Sequence, residues 1–325
     1  MRTAVYTDYG TPDVLRVVER DTPVPLDDEV LVEVHAASVN AYDWHFLTAD
    51  VFLIRLMGGL LRPKNEKLGA DIAGRVVAAG ANAKRFRVGD DVFGTAKDGK
   101  GGFAQFVCAR ERGLQAKPAN VSFEAAAAVP IAATTALQGL RDKGKIGSGS
   151  RVLVHGASGG VGTFAVQIAK SFGAHVTAVC STRNVETALT CGADEVIDYT
   201  REDFAAGTRT YDVIFVANGT RTLSEYARCL EPNGICVLAG GGSTSMAKIV
   251  TGLLQARWMS RAGGKQFVSL MAKIQQADLA AIAELLESGA VRPTIDRRFA
   301  LDDVADALRY VGTGHAAGKV VLTIA

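Results

Sequence analysis

The sequence lacks the features of several functional classes. Its 36 basic and 34 acidic residues are interspersed and leave a formal net charge of +2, so we expect no nucleic-acid partner. The opening MRTAVYTDYG has no apolar stretch of signal-peptide length, which predicts a cytoplasmic protein. The most apolar segment, residues 51–61, is too short to span a bilayer and contains Arg55. We expect a helix that lines a pocket, with a membrane-surface helix as the alternative.

Cysteine is also scarce. The five cysteines form no CxxC pair, and their odd number suits free thiols in a reducing compartment. No cysteine lies between Met1 and Val107. The histidines show no spacing typical of metal ligands and are interpreted as structural or surface residues; they are His35, His45, His155, His175 and His315. We therefore expect no metal site.

Two parts of the chain differ in hydrophobic periodicity. Up to about residue 120, short alternating runs are broken by turn residues, which is typical of a twisted, partly open all-β domain. In the middle, the apolar runs SRVLVHGA, AHVTAVC, DEVIDY and YDVIFVA alternate with segments of helical period. This alternation predicts parallel βαβ units in a doubly wound sheet. The chain is thus predicted to be α/β, with about two domains in 325 residues.

The stretch VLVHGASGGVG, residues 152–162, runs from a predicted strand into a turn almost free of side chains. Ala157-x-Gly159-x-x-Gly162 has the spacing of the dinucleotide fingerprint. Gly159 would let a pyrophosphate approach the backbone, and Gly162 would let the next helix pack against the strand. The motif follows a strand, opens a helix and leads into a second strand. It therefore predicts a dinucleotide site rather than only a tight turn.

The segment CSTRN, residues 180–184, follows the second strand of this unit. An NAD-binding site would carry an acidic residue here, and the segment contains none. The Ser181 hydroxyl can donate to a 2′-phosphate, and the Arg183 guanidinium provides permanently charged donors that match one. The segment favours NADPH over NADH; in the alternative interpretation, Arg183 is a solvated loop residue.

Further motifs are AASVNAYDW, GADIAG, RFRVGDDVFG and the closing GKVVLTI. Together with the glycine turn, they resemble the medium-chain dehydrogenase/reductase superfamily, and within it the zinc-independent quinone oxidoreductase-like group, over essentially the whole chain. The resemblance implies a GroES-like, mostly β catalytic domain at residues 1–123 and 269–325. It implies a Rossmann domain with a doubly wound parallel sheet at residues 124–268.

The resemblance also locates the positions of the zinc ligands in zinc-dependent members. A Cys would stand near Val39 and Asn40, and a Gly-His-Glu would stand where this chain has Gly69-Ala70-Asp71. The zinc ligands at these positions and the cysteine-rich lobe of a structural zinc site are both missing from the sequence.

Carried over position by position, the resemblance predicts the cofactor contacts. Asn40 would face the nicotinamide end, Tyr199 would lie near the adenosine phosphate, and Asn218 would border the nicotinamide ribose, although many members have an Asp before that glycine. From the fingerprint, the CSTRN segment and the resemblance together, the predicted cofactor-binding residues are Asn40, Thr135, Ala157, Ser158, Gly159, Gly160, Val161, Gly162, Ser181, Arg183, Tyr199, Ala217, Asn218, Gly240, Gly241 and Lys319.

The expected chemistry is hydride transfer from NADPH to a quinone or an α,β-unsaturated carbonyl. Without a metal, the developing charge is best spread into an enolate or hydroquinone anion, for which a few hydrogen-bond donors can suffice. We predict Tyr42 and Asn40 as catalytic residues, with Tyr42 as proton donor or carbonyl orienter. In the alternative, Tyr42 only packs beside Trp44 and Phe46.

The apolar segments and the function class each allow more than one interpretation. Residues 44–67 suit a wall or lid for a hydrophobic substrate, or ordinary core. Residues 249–259 lie where relatives commonly make subunit contacts, so a homodimer is expected. The rival functions are an alcohol or aldehyde dehydrogenase dependent on NAD(P) and a non-catalytic, redox-sensing NADPH-binding module.

Overall fold

The computed structural model describes residues 1–219, 221–240 and 264–324. The chain forms two compact units: unit 1 is Met1–Ile131, Ile274–Gly289 and Pro293–Ala325, and unit 2 is Ala132–Lys273 and Ala290–Arg292. The chain passes between units after residues 131 and 273, whereas the predicted domain boundaries followed residues 123 and 268. The segment after residue 123 stays in unit 1 because its first helix packs on the unit 1 sheet.

The strands follow the predicted runs closely. They are β1 (Arg2–Val5), β2 (Arg16–Glu19), β3 (Glu29–Val39), β4 (Asp71–Ala79), β5 (Asp91–Thr95), β6 (Phe106–Arg110), β7 (Leu114–Ala116), β8 (Arg151–His155), β9 (His175–Cys180), β10 (Glu195–Asp198), β11 (Tyr211–Val216), β12 (Leu230–Leu238), β13 (Gln266–Ser269), β14 (Ile295–Ala300) and β15 (Lys319–Thr323).

The helices in the described ranges are mostly short. They are α1 (Ala41–Thr48), α2 (Phe52–Gly58), α3 (Phe123–Ala127), α4 (Pro130–Leu137), α5 (Gly160–Ser171), α6 (Val185–Thr190), α7 (Leu223–Arg228), α8 (Gln276–Glu287) and α9 (Val304–Gly312). A π-helical turn, Gln138–Lys143, continues α4. None of these helices is long and apolar enough to cross a bilayer.

Unit 1 is mostly β. Its large sheet has the order β14-β15-β3-β4-β5-β7, with β6 also paired to β3, and β1 and β2 form a separate antiparallel pair. The long strand β3 is buried along most of its length, because β4 and β15 hydrogen-bond to it and α3 packs on it. The segment after β3 is helical from Ala41.

Unit 2 contains a six-stranded sheet of order β10-β9-β8-β11-β12-β13. All five strand pairs are parallel, and Val152, Leu153 and Val154 of the central strand are fully buried. Such continuous apolar strands are typical of a parallel sheet covered on both faces. The strand order reverses between β8 and β11, and ligands of doubly wound sheets bind at the carboxyl ends of the strands at such a point.

Candidate functional site

The glycine turn connects β8 to α5 in unit 2. Gly156 has φ of +81°, a conformation that favours glycine. A Cβ on Gly162 would lie 2.0 Å from the Gly156 carbonyl oxygen, so Gly162 lets the helix pack on the turn itself rather than only on the strand. A Cβ on Gly159 would meet its nearest protein atom at 3.6 Å. The fold therefore requires glycine at position 162, while space remains at position 159 for a bound group.

The start of α5 suits an anion. Gly159 is the N-cap residue, and within the described part of the chain no side chain caps the first amides of the helix. Uncapped N–H groups and the helix dipole together attract phosphate at such an end. This backbone geometry fits the pyrophosphate of a dinucleotide, and it includes the predicted residues Ala157, Ser158, Gly160 and Val161.

Asn184 connects the glycine turn to the end of β9. Its side-chain Nδ2 donates to Ser158 Oγ at 3.0 Å and to Ser181 Oγ at 3.2 Å. The side chain is buried. Through these two bonds it holds the Ser158 and Ser181 hydroxyls, which are predicted to contact different phosphates of the cofactor. Sequence reasoning missed Asn184, and its position at the end of CSTRN was the only signal.

Arg183 and Tyr199 are exposed residues that follow β9 and β10. Arg183 lies in the 3-10 turn Thr182–Asn184 that follows β9. The Tyr199 N–H donates to the Cys180 carbonyl at 3.0 Å, which connects the ends of β9 and β10. The carboxylate of Asp198 reaches this corner from β10 and accepts from Thr182 Oγ1 at 2.5 Å. The structure thus brings Ser181, Arg183 and Tyr199 to one corner of the sheet.

The loops after β11 and β12 pack tightly beside the glycine turn. The N–H groups of Ala217 and Asn218 both donate to the His155 carbonyl, at 2.9 and 3.3 Å. A Cβ on Gly240 would lie 2.2 Å from the Ala217 carbonyl oxygen. Of the other predicted residues of unit 2, Thr135 is buried on α4, and Gly241 and the proposed contact segment 249–259 lie outside the described residues.

His155 is a structural residue of this corner, as the sequence predicted. Its Nδ1 is hydrogen-bonded to the Tyr226 hydroxyl at 2.8 Å, and burial lowers its pKa to about 4. Both side chains contact the position of Gly219, where a Cβ would lie 2.2 Å from Tyr226 Oη. A neutral imidazole therefore supports the loop that follows β11.

A buried polar cluster lies in unit 1, at the end of β3 and the start of α1. Asn40 Oδ1 accepts from Lys319 Nζ at 2.5 Å. Asn40 Nδ2 donates to Asp71 Oδ2 at 3.0 Å and to the Ser38 carbonyl at 3.3 Å. Both ends of the Asn40 amide are therefore engaged by the protein, and the side chain has one fixed orientation.

Lys319 is the cation of this cluster and is 3% exposed. Its Nζ lies 3.9 Å from Asp71 Oδ2, and Asp71 also accepts from Ser38 Oγ at 3.1 Å. Burial raises the pKa of Asp71 to about 6, although Lys319 opposes that rise. Burial lowers the pKa of Lys319, and the two nearby carboxylates oppose that shift.

Asp43 is the second buried acid of this region. Its carboxylate accepts the backbone N–H of Asn40 at 2.9 Å and that of Gly69 at 3.0 Å. These bonds fix the start of α1 and join it to the strand segment before β4. Burial raises the pKa of Asp43 to about 7. Sequence analysis did not identify this structural role of Asp43.

Tyr42 lies on the first turn of α1 and is partly exposed. Its ring packs on Phe46 with a centroid distance of 4.5 Å. Burial raises the pKa of the Tyr42 phenol to about 12, and Asp43 adds to the rise. At neutral pH the hydroxyl is therefore protonated and is able to donate a hydrogen bond. The ring both packs, as the alternative interpretation held, and presents a donor.

Comparisons with known proteins were made for the whole chain. The Alcohol dehydrogenase GroES-like domain family matches residues 26–119, and the Zinc-binding dehydrogenase family matches residues 191–322. The chloroplast envelope quinone oxidoreductase homolog of Arabidopsis thaliana is 33% identical over 339 residues, covering 99% of this chain and 98% of that protein. The chloroplastic NADPH-dependent alkenal/one oxidoreductase of the same plant is 32% identical, covering 99% and 79%.

Among solved structures, the quinone oxidoreductase from Coxiella burnetii is similar with a TM-score of 0.88 and 29% identity. The similarity covers 100% of this chain and 99% of that one. With the two sheet orders, it confirms the predicted α/β fold of a Rossmann sheet and a GroES-like domain.

One matching family is described as zinc-binding, so the fit of a zinc ion can be tested on the donor atoms. Zinc prefers thiolate, imidazole and carboxylate ligands. At the positions expected for such ligands, the chain has the Asn40 amide and the Asp71 carboxylate, and the Lys319 ammonium already lies between them. A second cation does not fit there. Within the described ranges, no three His, Cys, Asp or Glu side chains form a group that could hold a metal ion.

Proposed function

The chain belongs to the medium-chain dehydrogenase/reductase superfamily, in its zinc-independent quinone oxidoreductase-like group, and from this premise we propose that it is an NADPH-dependent oxidoreductase. It transfers a hydride to a quinone or an α,β-unsaturated carbonyl compound. The observation that carries the proposal is the uncapped start of α5 at Gly159, with the serines joined by Asn184 beside it.

Unit 2 supplies the residues that would hold the cofactor. The first amides of α5, at Gly160 and Val161, would bind the pyrophosphate, and Ser181 and Arg183 would bind the 2′-phosphate. NADPH, when bound, supplies the hydride. Relatives whose names include NADPH and quinone or alkenal/one substrates support this assignment.

The donor groups of unit 1 favour a conjugated acceptor. Reduction of a simple carbonyl concentrates charge on one oxygen, which a metal ion commonly stabilises. Hydride addition to a quinone or enone spreads the negative charge. Hydrogen bonds to the oxygen therefore contribute a larger share of the stabilisation that this charge needs. We propose that the protonated Tyr42 hydroxyl donates to this oxygen. We further propose that Asn40, held by Lys319 and Asp71, orients the nicotinamide end of the cofactor.

The test is fluorescence titration of the purified, chelator-treated protein with NADPH and NADH, followed by loss of reduced-nicotinamide absorbance with quinones and enones. We expect tighter binding of NADPH and acceptor-dependent oxidation. In Arg183→Ala, the affinity for NADPH falls about 10-fold while that for NADH is unchanged, because the contact with the 2′-phosphate, which NADH lacks, is lost.

The matched control is Arg209→Ala, which removes an exposed arginine paired with Glu195. It should leave both affinities unchanged. Equal binding of the two cofactors by the wild-type protein would contradict the assigned preference. Turnover of a saturated alcohol, with none of an enone or quinone, would favour the alcohol dehydrogenase instead. Binding without any turnover would favour the non-catalytic module.

We also propose that the protein is a homodimer in a reducing compartment, the cytoplasm. All five cysteines are buried and none of them forms a disulfide bond, which supports a reducing compartment. The proposal of a dimer is based on the apolar sequence of the segment 249–259. Sedimentation velocity and cell fractionation test these two proposals: a monomer at all concentrations would contradict the first, and recovery in an organelle the second.

A further inference from the structure

Lys100 is a part-buried lysine whose ammonium group has no acceptor among the described residues. It follows the 3-10 turn Lys97–Gly99 in unit 1, and its Nζ lies 4.5 Å from the centroid of the Phe46 ring. Burial lowers its pKa, which Asp98 opposes. A cation resting on an aromatic face is only weakly held and remains available to a stronger acceptor.

Several other part-buried or buried lysines of the chain do have acceptors. Lys97 Nζ lies 2.5 Å from Glu29 Oε1, Lys117 Nζ donates to two backbone carbonyls, and Lys170 Nζ lies 2.8 Å from Asp194 Oδ1. Lys319 donates to Asn40. Removing an ammonium from water without an acceptor is unfavourable. A functional role would account for the position of Lys100.

The Tyr42 hydroxyl lies close to the same turn. A Cβ built on Gly99, the residue before Lys100, would lie 3.3 Å from Tyr42 Oη. Tyr42 and Lys100 both contact Phe46, through a ring pair at 4.5 Å and a cation over the ring. No hydrogen bond from Tyr42 Oη to another described residue is present. Two donors that have no acceptor among the residues described therefore flank one aromatic ring.

The surroundings of these donors are apolar on one side. Helix α2 contacts α1, and its side chains Phe52 and Leu56 are 50% and 56% exposed. A ligand that suits this arrangement has an apolar body and an oxygen on which negative charge develops. Enones and quinones have both properties.

We propose that Lys100 is a catalytic residue that donates a hydrogen bond to the carbonyl oxygen of the substrate, beside Tyr42. This assignment rests on the proposed function. As hydride adds to the β-carbon, the π electrons of the C=C bond move towards the carbonyl oxygen and an enolate forms. The Lys100 ammonium stabilises that oxygen by a charge-assisted bond. A proton from solvent then adds to the α-carbon, so the acceptor gains one hydride and one proton in total.

The test compares Lys100→Met, which keeps an apolar stem over Phe46, with Lys100→Arg, which keeps the charge. We expect Lys100→Met to lower kcat/KM for enones roughly 100-fold, with an unchanged Kd for NADPH. Lys100→Arg should retain most of the activity. Lys84→Met, at an exposed position, is the matched control and should equal the wild type. Unchanged kcat/KM in Lys100→Met, or an equal loss of NADPH affinity, would overturn the proposal.

A second readout does not depend on turnover. Binding of 4-nitrophenol, followed by its visible phenolate band, reports whether the site stabilises an oxyanion. We expect the wild type and Lys100→Arg to bind the phenolate and lower its apparent pKa, and Lys100→Met to do neither. Equal phenolate binding by all three proteins would overturn the role of Lys100. If the wild type reduces no enone or quinone, the proposed function fails, but this titration still decides on the oxyanion site.

Discussion

The two candidate sites are built from different parts of the chain. In unit 2, the glycine turn presents backbone amides, and its side chains are small or absent. In unit 1, the cluster of Asn40, Asp71 and Lys319 consists of side chains that come from three distant segments. A backbone site depends on local conformation, whereas a side-chain cluster depends on the register of the whole sheet. Substitutions should therefore affect the two sites in different ways.

The largest expected effect concerns the pH dependence of unit 1. The pKa of Asp43 is about 7 in the folded protein against an ordinary value of 3.8. Between these values, the folded state holds a proton that the unfolded state has lost, so stability falls as pH rises. Over about three pH units, this contribution amounts to about 4 kcal/mol.

Urea unfolding at several pH values from 4 to 8 measures this contribution, with Asp43→Asn for comparison. The variant should show a shallower fall in the free energy of unfolding across the range. It is also less stable at pH 4 to 5, because Asn offers one acceptor oxygen where Asp43 offers two. Parallel curves for the two proteins would show that Asp43 is already ionised at low pH.

The next prediction concerns a substitution that disrupts the cluster of Asn40, Asp71 and Lys319. Lys319→Met leaves the buried Asp71 carboxylate without its cation, so we expect a loss of about 3 kcal/mol in the free energy of unfolding at neutral pH. The double variant with Asp71→Asn should lose less than the sum of the two single variants. Lys170→Met in unit 2, whose partner Asp194 is partly exposed, is the control and should lose less than about 1 kcal/mol.

The smallest effect separates fold from binding within the glycine turn. Gly162→Ala places a Cβ 2.0 Å from the Gly156 oxygen, so the turn must move, and we expect a loss of about 2 kcal/mol in stability together with NADPH binding. In Gly159→Ala, the Cβ meets its nearest atom of the described residues, the Gly156 carbonyl oxygen, at 3.6 Å. It should change stability by less than about 0.5 kcal/mol while still weakening NADPH binding.

Thermal unfolding and NADPH titration of the two alanine variants provide the measurement. If Gly159→Ala binds NADPH normally, the pyrophosphate does not approach that backbone position. If both variants lose stability equally, the difference between the two glycines inferred from the structure is wrong.

Sequence reasoning was sufficient for much of the fold. The alternation of apolar runs and helical segments predicted β8 to β11 and the helices between them, because a parallel sheet buries continuous apolar strands. The sequence was less sufficient for the short helices α1 and α3 and for the positions of the two domain boundaries. Their ends depend on tertiary contacts: Asp43 fixes the start of α1 through the N–H groups of Asn40 and Gly69, and α3 packs on the unit 1 sheet.

The sites show the same division. The glycine turn is a local motif, so the sequence predicted its conformation, while its contact with a pyrophosphate stays a prediction. Asn184 and Lys100 were missed because their roles come from residues that are distant in sequence, Ser158 and Phe46. No local pattern distinguishes such a residue from an ordinary polar one.

The bridge made by Asn184 has a consequence for protein engineering. Cofactor preference is often altered by replacing residues after the second strand of a doubly wound sheet, here the segment 180–184. Because Asn184 joins Ser181 to Ser158 of the glycine turn, the segment cannot be exchanged as an independent module. A redesign for NADH should change Ser181 and Arg183 while retaining Asn184. Loss of the Asn184 side chain would release the Ser158 hydroxyl on the pyrophosphate side and weaken the binding of NADPH and NADH alike.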